Sequence, residues 1–449
     1  MGGGLLQLVA YGAQDVYLTS NPQITFFKVV YRRHTNFSME SIQQTFNGEF
    51  NFGRRVTAQI SRNGDLISNM WLEVDLPFIK YNMGVNFDGN TNNDNTNNLD
   101  LVGTDYERYV NYVGLRMIDN VELEIGGQRI DKQYGEWMYI WNELALDHGK
   151  KEGYQKMVGA DTDMTSFKNN KLYIPLEFWF CKNPGLALPL IALQYHEVKV
   201  NITIRDVKDC VYKGTSFKEG SGAFSASEYP SITSGSLWVD YIFLDTDERR
   251  RFAQLSHEYL IEQVQYTGSE NLQKGNSSIP IRLNFNHPVK ELIWTLRLYD
   301  QPKNQWYNYS YNRSDGTNNE FLLDGTTNQD DEYYYNNLNG VNPSGKNTIQ
   351  TALLQFNGND RFAAREGNYF SMVQPYQHHN NIPTNQGINV YSFALKPEEH
   401  QCSGSANFSR LDTTILWVNG VDKGEVNVYA KNYNVLRILS GMGGLAYSN

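Results

Sequence analysis

Cysteine is nearly absent from this chain. Its three cysteines, Cys181, Cys210 and Cys402, lie far apart in 449 residues and are odd in number. A disulfide framework is excluded, and without a CxxC pair so are the common zinc spacings. That usage fits folding in a reducing compartment. Long apolar runs are missing too, since no stretch approaches the ~18 residues of a membrane span. The opening "MGGGLLQLVAYGAQDVY" has neither the basic start nor the apolar centre of a secretory leader. Gly2 stands where a myristoylation signal places its glycine, but Leu6 occupies the position that wants Ser or Thr. A soluble protein is expected.

Positive charge is also scarce. Charged residues make up 20% of the chain and the balance is −10. Nucleic-acid binding needs clustered Lys and Arg to displace counterions. The short runs Arg32-Arg33, Arg54-Arg55 and Arg249-Arg250-Arg251 each have acidic or apolar neighbours. No direct contact with nucleic acid is expected.

Catalytic signatures are lacking. GxSxG, GxxxxGK[ST] and a GxGxxG between strand and helix do not occur. "HEYLI" at His257 has no second zincin histidine. His378 and His379 are adjacent, and neighbours on a strand face opposite ways. "EEHQC" gathers Glu398, Glu399, His400 and Cys402 with no second cluster at a recognised spacing. "DTD", at Asp161 to Asp163 and Asp245 to Asp247, reads as a polar turn after a strand. No catalytic, cofactor-binding or metal-binding residue is assigned, and no cofactor is expected. A glycosidase needs only two carboxylates, which leave no spacing signature. A jelly-roll hydrolase and a carbohydrate-binding jelly roll therefore stay as alternatives.

What the chain does have is alternation, the period of a half-buried strand. Met70, Leu72, Val74 and Leu76 alternate with Glu73 and Asp75. Val121, Leu123 and Ile125 alternate with Glu122 and Glu124. Val198, Val200, Ile202 and Ile204 alternate with Lys199, Asn201, Thr203 and Arg205. Leu172, Ile174, Leu176, Phe178 and Phe180 predict another strand. "SLWVDYIFLD", Ser236 to Asp245, is apolar on both faces except at Asp240, as a central strand would be. "GEWMYIWNELALDHGK" reads as a helix with Trp137, Ile140, Trp141 and Leu144 on one stripe. "SNPQITFFKVVYRR" predicts a short helix with Pro22 in its first turn.

The strands are written twice. "NGDLISNMWLEVDLP" from Asn63 and "NHPVKELIWTLRLYD" from Asn286 share a pattern that aligns Trp71 with Trp294. "VELEIGG" and "TALLQFNG" follow in each half, closing on the hairpin signals Gly126-Gly127 and Asn357-Gly358. "WVDYIFLDTDERRRFA" and "VNVYAKNYNVLRILSG" form a late matching pair. Two all-β domains of about 200 residues are the simplest account. An immunoglobulin-like sandwich would be nearer ~100 residues. Long loops and roughly eight strands per half favour two consecutive eight-stranded antiparallel jelly rolls, with short helices in loops. The expected division is an arm at 1–25, a first roll at 26–246, a linker at 247–257 and a second roll at 258–449. The inserts Tyr81 to Asp100 and Asp300 to Asn347 are rich in Asn and Tyr, and the repeat predicts that both project from one end. Thirty tyrosines suit packing between loops and subunits.

The blocks "LVAYGAQDVYLTSNPQITFFKVVYRRHTNF", "ISRNGDL", "VELEIGGQRID", "PGLALPLIALQYHEVK", "WVDYIFLDTDERRRFAQL", "IRLNFNHP", "QPYQ" and "VYAKNYNVLRILSGMGGLAY" resemble the major capsid proteins of nucleocytoplasmic large DNA viruses. The likeness runs from the first residues to the last, and is greatest to the algal, chlorovirus-like branch. It implies a non-enzymatic double jelly roll. Such chains form homotrimeric capsomers of pseudo-hexagonal outline that tile an icosahedral virion shell. The resemblance further implies neighbouring capsomers and minor capsid and penton proteins as partners. The inner viral membrane is an indirect neighbour, and assembly is in host cytoplasm. Sequons occur at Asn36, Asn201, Asn276, Asn308, Asn312 and Asn407, while Pro343 disables Asn342. Asn276, Asn308 and Asn312 lie in loop-like stretches and are the candidate glycan sites. The arm is expected against a neighbouring subunit or the inner face of the shell.

Overall fold

A computed structural model describes residues 3–77, 106–160, 170–214, 229–273, 278–299, 301, 306–311 and 346–447. Their principal strands fall into two sets of eight. The first comprises β1 (Phe37–Gln44), β2 (Arg55–Gln59), β3 (Leu66–Leu76), β4 (Ile118–Ile125), β5 (Gln128–Tyr134), β6 (Asn170–Pro175), β7 (Val198–Ile204) and β8 (Ser234–Leu244). These form two sheets, ordered β1-β8-β3-β6 and β2-β7-β4-β5. The second set is β9 (His257–Leu272), β10 (Ile279–Arg282), β11 (Pro288–Leu298), β12 (Ile349–Phe356), β13 (Asn359–Asp360), β14 (Asn389–Ser392), β15 (Thr414–Gly420) and β16 (Gly424–Leu439). Their order is β9-β16-β11-β14 and β10-β15-β12-β13. Both sets follow one antiparallel scheme, first-eighth-third-sixth and second-seventh-fourth-fifth. That is jelly-roll order, written twice.

On β3 and β4 the burial follows the alternation. On β3, Met70, Leu72, Val74 and Leu76 are buried, whereas Asn69, Trp71, Glu73 and Asp75 face outward. On β7 the polar side is itself bonded: Thr57 Oγ1 donates to Asn201 Oδ1 and Asn201 Nδ2 donates to Glu124. Asn201 is buried by these neighbours. The two hairpin signals form alike, with left-handed φ at Gly126 (58°) and Gly127 (83°), and at Asn357 (50°) and Gly358 (80°). Two successive positive φ values are the requirement of the type I′ turn that joins twisted strands.

The repeat differs from its sequence alignment by one residue. Leu66–Leu76 and Pro288–Leu298 are equally long and equivalently paired, so Trp71 is equivalent to Ile293, not to Trp294. Trp294 is fully buried within the second roll, while Trp71 lies on the outer face of the first. A slip of one residue exchanges the two faces of a strand, so matching tryptophans by eye placed them on opposite sides.

Two further expectations change. Residues 20–33 are not helical; the helices of this region are Gly3–Val9 and Val16–Thr19. Asn21 has φ 52°, outside the helical region, and Phe26, Phe27, Val29 and Val30 are exposed, with no packed face to support a helix. The strand read through Phe180 ends at Pro175; Phe178 caps a short helix at Trp179–Lys182 that buries Phe180.

Helices fill the connections. The segment between β5 and β6 carries α1 (Gly135–Ala145) and α2 (His148–Val158). Trp137, Ile140, Trp141 and Leu144 are all buried, as the stripe requires. The expected linker is largely helical: α3 (Thr246–Gln254) starts after Asp245, whose side chain accepts from Thr246 N–H. The corresponding β13–β14 connection holds a π-turn at Tyr369–Val373 and a helix at Gln374–His378. Residues Met1–Phe37 form one compact unit and Ser38–Asn449 another.

Candidate functional site

The contact between the rolls is where the structure concentrates its polar chemistry. On β11 the even positions Leu292, Trp294 and Leu296 enter the second roll's own core. The odd positions Glu291, Ile293 and Thr295 face the first roll, and Ile293, Val390 and Tyr429 join the first roll's core cluster. One sheet face is thus buried against another domain.

Glu136, in the first turn of α1, is the hub. Its carboxylate accepts from Tyr309 Oη at 2.7 Å, Tyr429 Oη at 3.1 Å, Asn427 Nδ2 at 3.0 Å and Thr295 Oγ1 at 3.3 Å. All four donors belong to the second half. Around it Tyr134, Tyr266 and Tyr429 pack ring on ring, Tyr266 and Tyr429 stacked at 4.7 Å. Next to it, Asp131 Oδ1 accepts from Val264 N–H, and Gln263 donates to the Ile130 carbonyl. Burial pushes the Asp131 carboxyl up to about 6, against the pull of hydrogen bonds from Gln133, Val264 and Lys132.

A second cluster lies beside Trp141. Glu262 bridges Lys290 at 2.5 Å and Lys431 at 3.1 Å, and Lys431 sits 3.4 Å from the Trp141 ring centroid. Burial opposes the Glu262 charge, but Lys431, Lys182 and Lys290 outweigh it and hold the carboxyl at about 2. His379 stands between two acids, with Nε2 2.9 Å from Glu291 and Nδ1 2.8 Å from Glu398. Burial disfavours the imidazolium, yet Glu291 and Glu398 raise it to about 9. Lys290 and Glu291 are adjacent charges buried within β11. That signal was present in "VKELIW", but alternation alone gave it no partner.

The sequence-predicted chemistry is redistributed. Glu398 of "EEHQC" serves as the His379 partner, and His378 Nδ1 bonds the Leu395 carbonyl. Among the described residues no group of three His, Cys, Asp or Glu is placed to hold a metal ion. A cleft beside Trp141 contains the acids Glu177, Glu398 and Glu399. Glu177 accepts from Asn142, Glu398 from His379 and Asn380, and Glu399 from Lys396. Each acid there is held by a neighbour within the fold. Asp245 is a helix cap, and Asp161 to Asp163 lie outside the described residues.

Of the candidate glycan sites, Asn276 and Asn312 also lie outside the described residues. Asn308 lies in a loop-like stretch, is 9% exposed, and its Oδ1 accepts from Ser310 N–H and Oγ. The insert Tyr81 to Asp100, most of Asp300 to Asn347 and the common direction expected for them are outside the described residues too. The Arg116 and Arg297 guanidinium groups lie 3.5 and 3.7 Å from the Trp306 ring centroid. Two groups that close must occupy opposite faces of the indole. Tyr307 stacks on Tyr139 at 4.7 Å beside them. This convergence joins the start of the second insert to the segment returning from the first.

Residues 25–245 match the family described as "Major capsid protein N-terminus", and residues 248–444 match "Large eukaryotic DNA virus major capsid protein". The chain belongs to the major capsid protein family of large eukaryotic DNA viruses. The major capsid protein of Pyramimonas orientalis virus is 48% identical over the full length of both chains, and that of Phaeocystis pouchetii virus is 45% identical, again over both full lengths. Among solved structures, the capsid protein VP54 of PBCV-1 superposes with a TM-score of 0.73 at 37% identity, covering 95% of this chain and 100% of its own. This capsid protein is a structural component of a virion shell, not an enzyme, and it assembles with itself. Its double jelly roll is the fold of those relatives.

Proposed function

We propose that the chain forms a homotrimeric capsomer of pseudo-hexagonal outline, tiling the icosahedral shell of a large double-stranded DNA virus. The duplicated strand order carries this reading. Two like rolls per chain and three chains per ring give six like wedges, so one protein can tile a hexagonal lattice with threefold symmetry alone. Minor capsid and penton proteins complete the shell as partners. The inner membrane is met only indirectly, the genome not at all, and assembly takes place in the host cytoplasm. We divide the chain into an arm (1–25), first roll (26–246), linker (247–257) and second roll (258–449).

Attached sugars belong to the same proposal, at Asn276 and Asn312, and at Asn308 only if attachment precedes folding. Intact mass of virion protein above the sequence mass, followed by site mapping, tests this. The oligomer is tested by light scattering of the purified chain. A species near three times 51.6 kDa is expected; a monomer persisting at micromolar concentration overturns it.

A further inference from the structure

The cleft beside Trp141 has a volume of about 680 Å³ and is walled by both rolls. The first roll supplies Trp141, Lys150, Glu177 and Lys182, and the second supplies Asn380 and Lys396. The two walls are tied together next to it. Asn381 Nδ2 donates to the Leu146 carbonyl, and Lys151 Nζ donates to Thr384 Oγ1. A cleft of that size admits a small organic molecule.

Its cations are unequally matched. Lys396 pairs with Glu399 at 2.9 Å, and His379 stands between Glu291 and Glu398. Lys150 and Lys182 also line the cleft, and neither has an acid in ion-pair contact among the described residues. The Lys182 amine lies 4.3 Å from the Trp141 ring centroid, and the Lys431 amine lies 3.4 Å from the same ring. Glu262 neutralises Lys431 at 3.1 Å, which leaves Lys182 as the unmatched cation on that indole. Like charges gathered at one place repel unless an anion lies among them. The neutral contacts are also at hand. Glu177 spends one carboxylate oxygen on Asn142, and Asn380 is exposed at the rim.

We propose that this cleft binds a phosphate-bearing small molecule, with Lys150 and Lys182 holding the phosphate and the ligand bridging the two rolls. The phosphate supplies the anion that neither lysine finds within the fold. Lysine suits the task as a point charge with three rotatable donors. Glu177 and Asn380 offer an acceptor and a donor to the rest of the ligand, so a phosphorylated polyhydroxy compound fits better than the bare ion. The site lies within one chain and does not depend on the trimer.

The test is calorimetric titration of the full-length protein with glucose 6-phosphate, inorganic phosphate and glucose, at ionic strength matched with chloride. Saturable binding of the sugar phosphate is expected, with weaker binding of inorganic phosphate and none of glucose. Lys150→Gln and Lys182→Gln should each weaken binding by about tenfold or more, the scale of one lost charged hydrogen bond. Both positions are exposed, and unchanged melting of the unliganded variants verifies folding. Lys156→Gln, on the same helix as Lys150 but paired with Glu152, should bind as the parent protein does. Acetylation footprinting by mass spectrometry gives a second reading, in which the sugar phosphate protects Lys150 and Lys182 and leaves Lys156 reactive. Equal affinity for inorganic phosphate and the sugar phosphate would overturn the polyhydroxy assignment. Unchanged affinity in both lysine variants, or no saturable binding by the parent protein, would overturn the site.

Discussion

His379 Nε2 lies 2.9 Å from the Glu291 carboxylate, and neither side chain is exposed. The imidazole arrives from the helix end at Gln374–His378, the carboxylate from the middle of β11, and Glu398 closes the other side. A fully buried carboxylate keeps its charge here because a second element supplies the cation.

This pairing has a pH signature. The folded His379 pKa of about 9 is raised above the ordinary 6.5, so its stabilisation is complete below pH 6.5 and fades as pH climbs through 9. His379→Gln should be less stable at pH 7 by about 3–5 kcal/mol, because Glu291 loses its counter-charge. The melting temperature of the variant should also depend less on pH between 7 and 9.5. Equal slopes for the two proteins in calorimetry would contradict the assignment.

Glu136 is predicted to bind the rolls into one cooperative unit. Glu136→Ala strands four donors of the second half, at about 1–3 kcal/mol for each that stays buried and unpaired. The expected result is a stability loss of several kcal/mol (about 3 or more) and separated unfolding steps for the two rolls. Glu136→Gln, which keeps an acceptor oxygen, should recover part of this. A single transition at the original temperature in Glu136→Ala would refute it.

Trp306 is predicted to anchor the foot of the second insert. Each guanidinium–indole stack contributes about 0.5–2 kcal/mol. Trp306→Ala should therefore make Tyr307 and Tyr309, now buried, accessible to chymotrypsin while the sheets remain resistant. A digestion pattern identical to that of the parent protein would show that the stack does not hold this segment.

The arm is predicted to matter between subunits. Leu8, Tyr17, Leu18, Phe26 and Phe27 are each at least 78% exposed. Removing residues 1–21 should leave a folded trimer, but lower the yield of assembled shells or impair docking of minor proteins. Normal particle yield from the truncated protein would exclude that role.

Much of the fold was legible because sheet faces write themselves into sequence with a period of two. The fourth strands, their Gly126-Gly127 and Asn357-Gly358 turns, and the eighth strands are all recognisable as a repeat in the sequence. Its register was not. Leu66–Leu76 and Pro288–Leu298 each have apolar residues on both faces near the tryptophan, so alternation alone allowed the one-residue slip. The seam was less legible still, since Glu136, Glu262 and Lys431 come from separate stretches and none forms a motif.

The sequence by itself determined the all-β class, the duplication and the family, because these depend on local periodicity and on blocks spread along the whole chain. Tertiary structure alone decided which strand faces became cores and which became the seam. It also decided that Glu291 and His379 would be partners, and that Trp71 would be left half-exposed while its counterpart Ile293 is fully buried. Such pairings join residues scores of positions apart, and their energies depend on burial and distance, which exist only once the two rolls have packed.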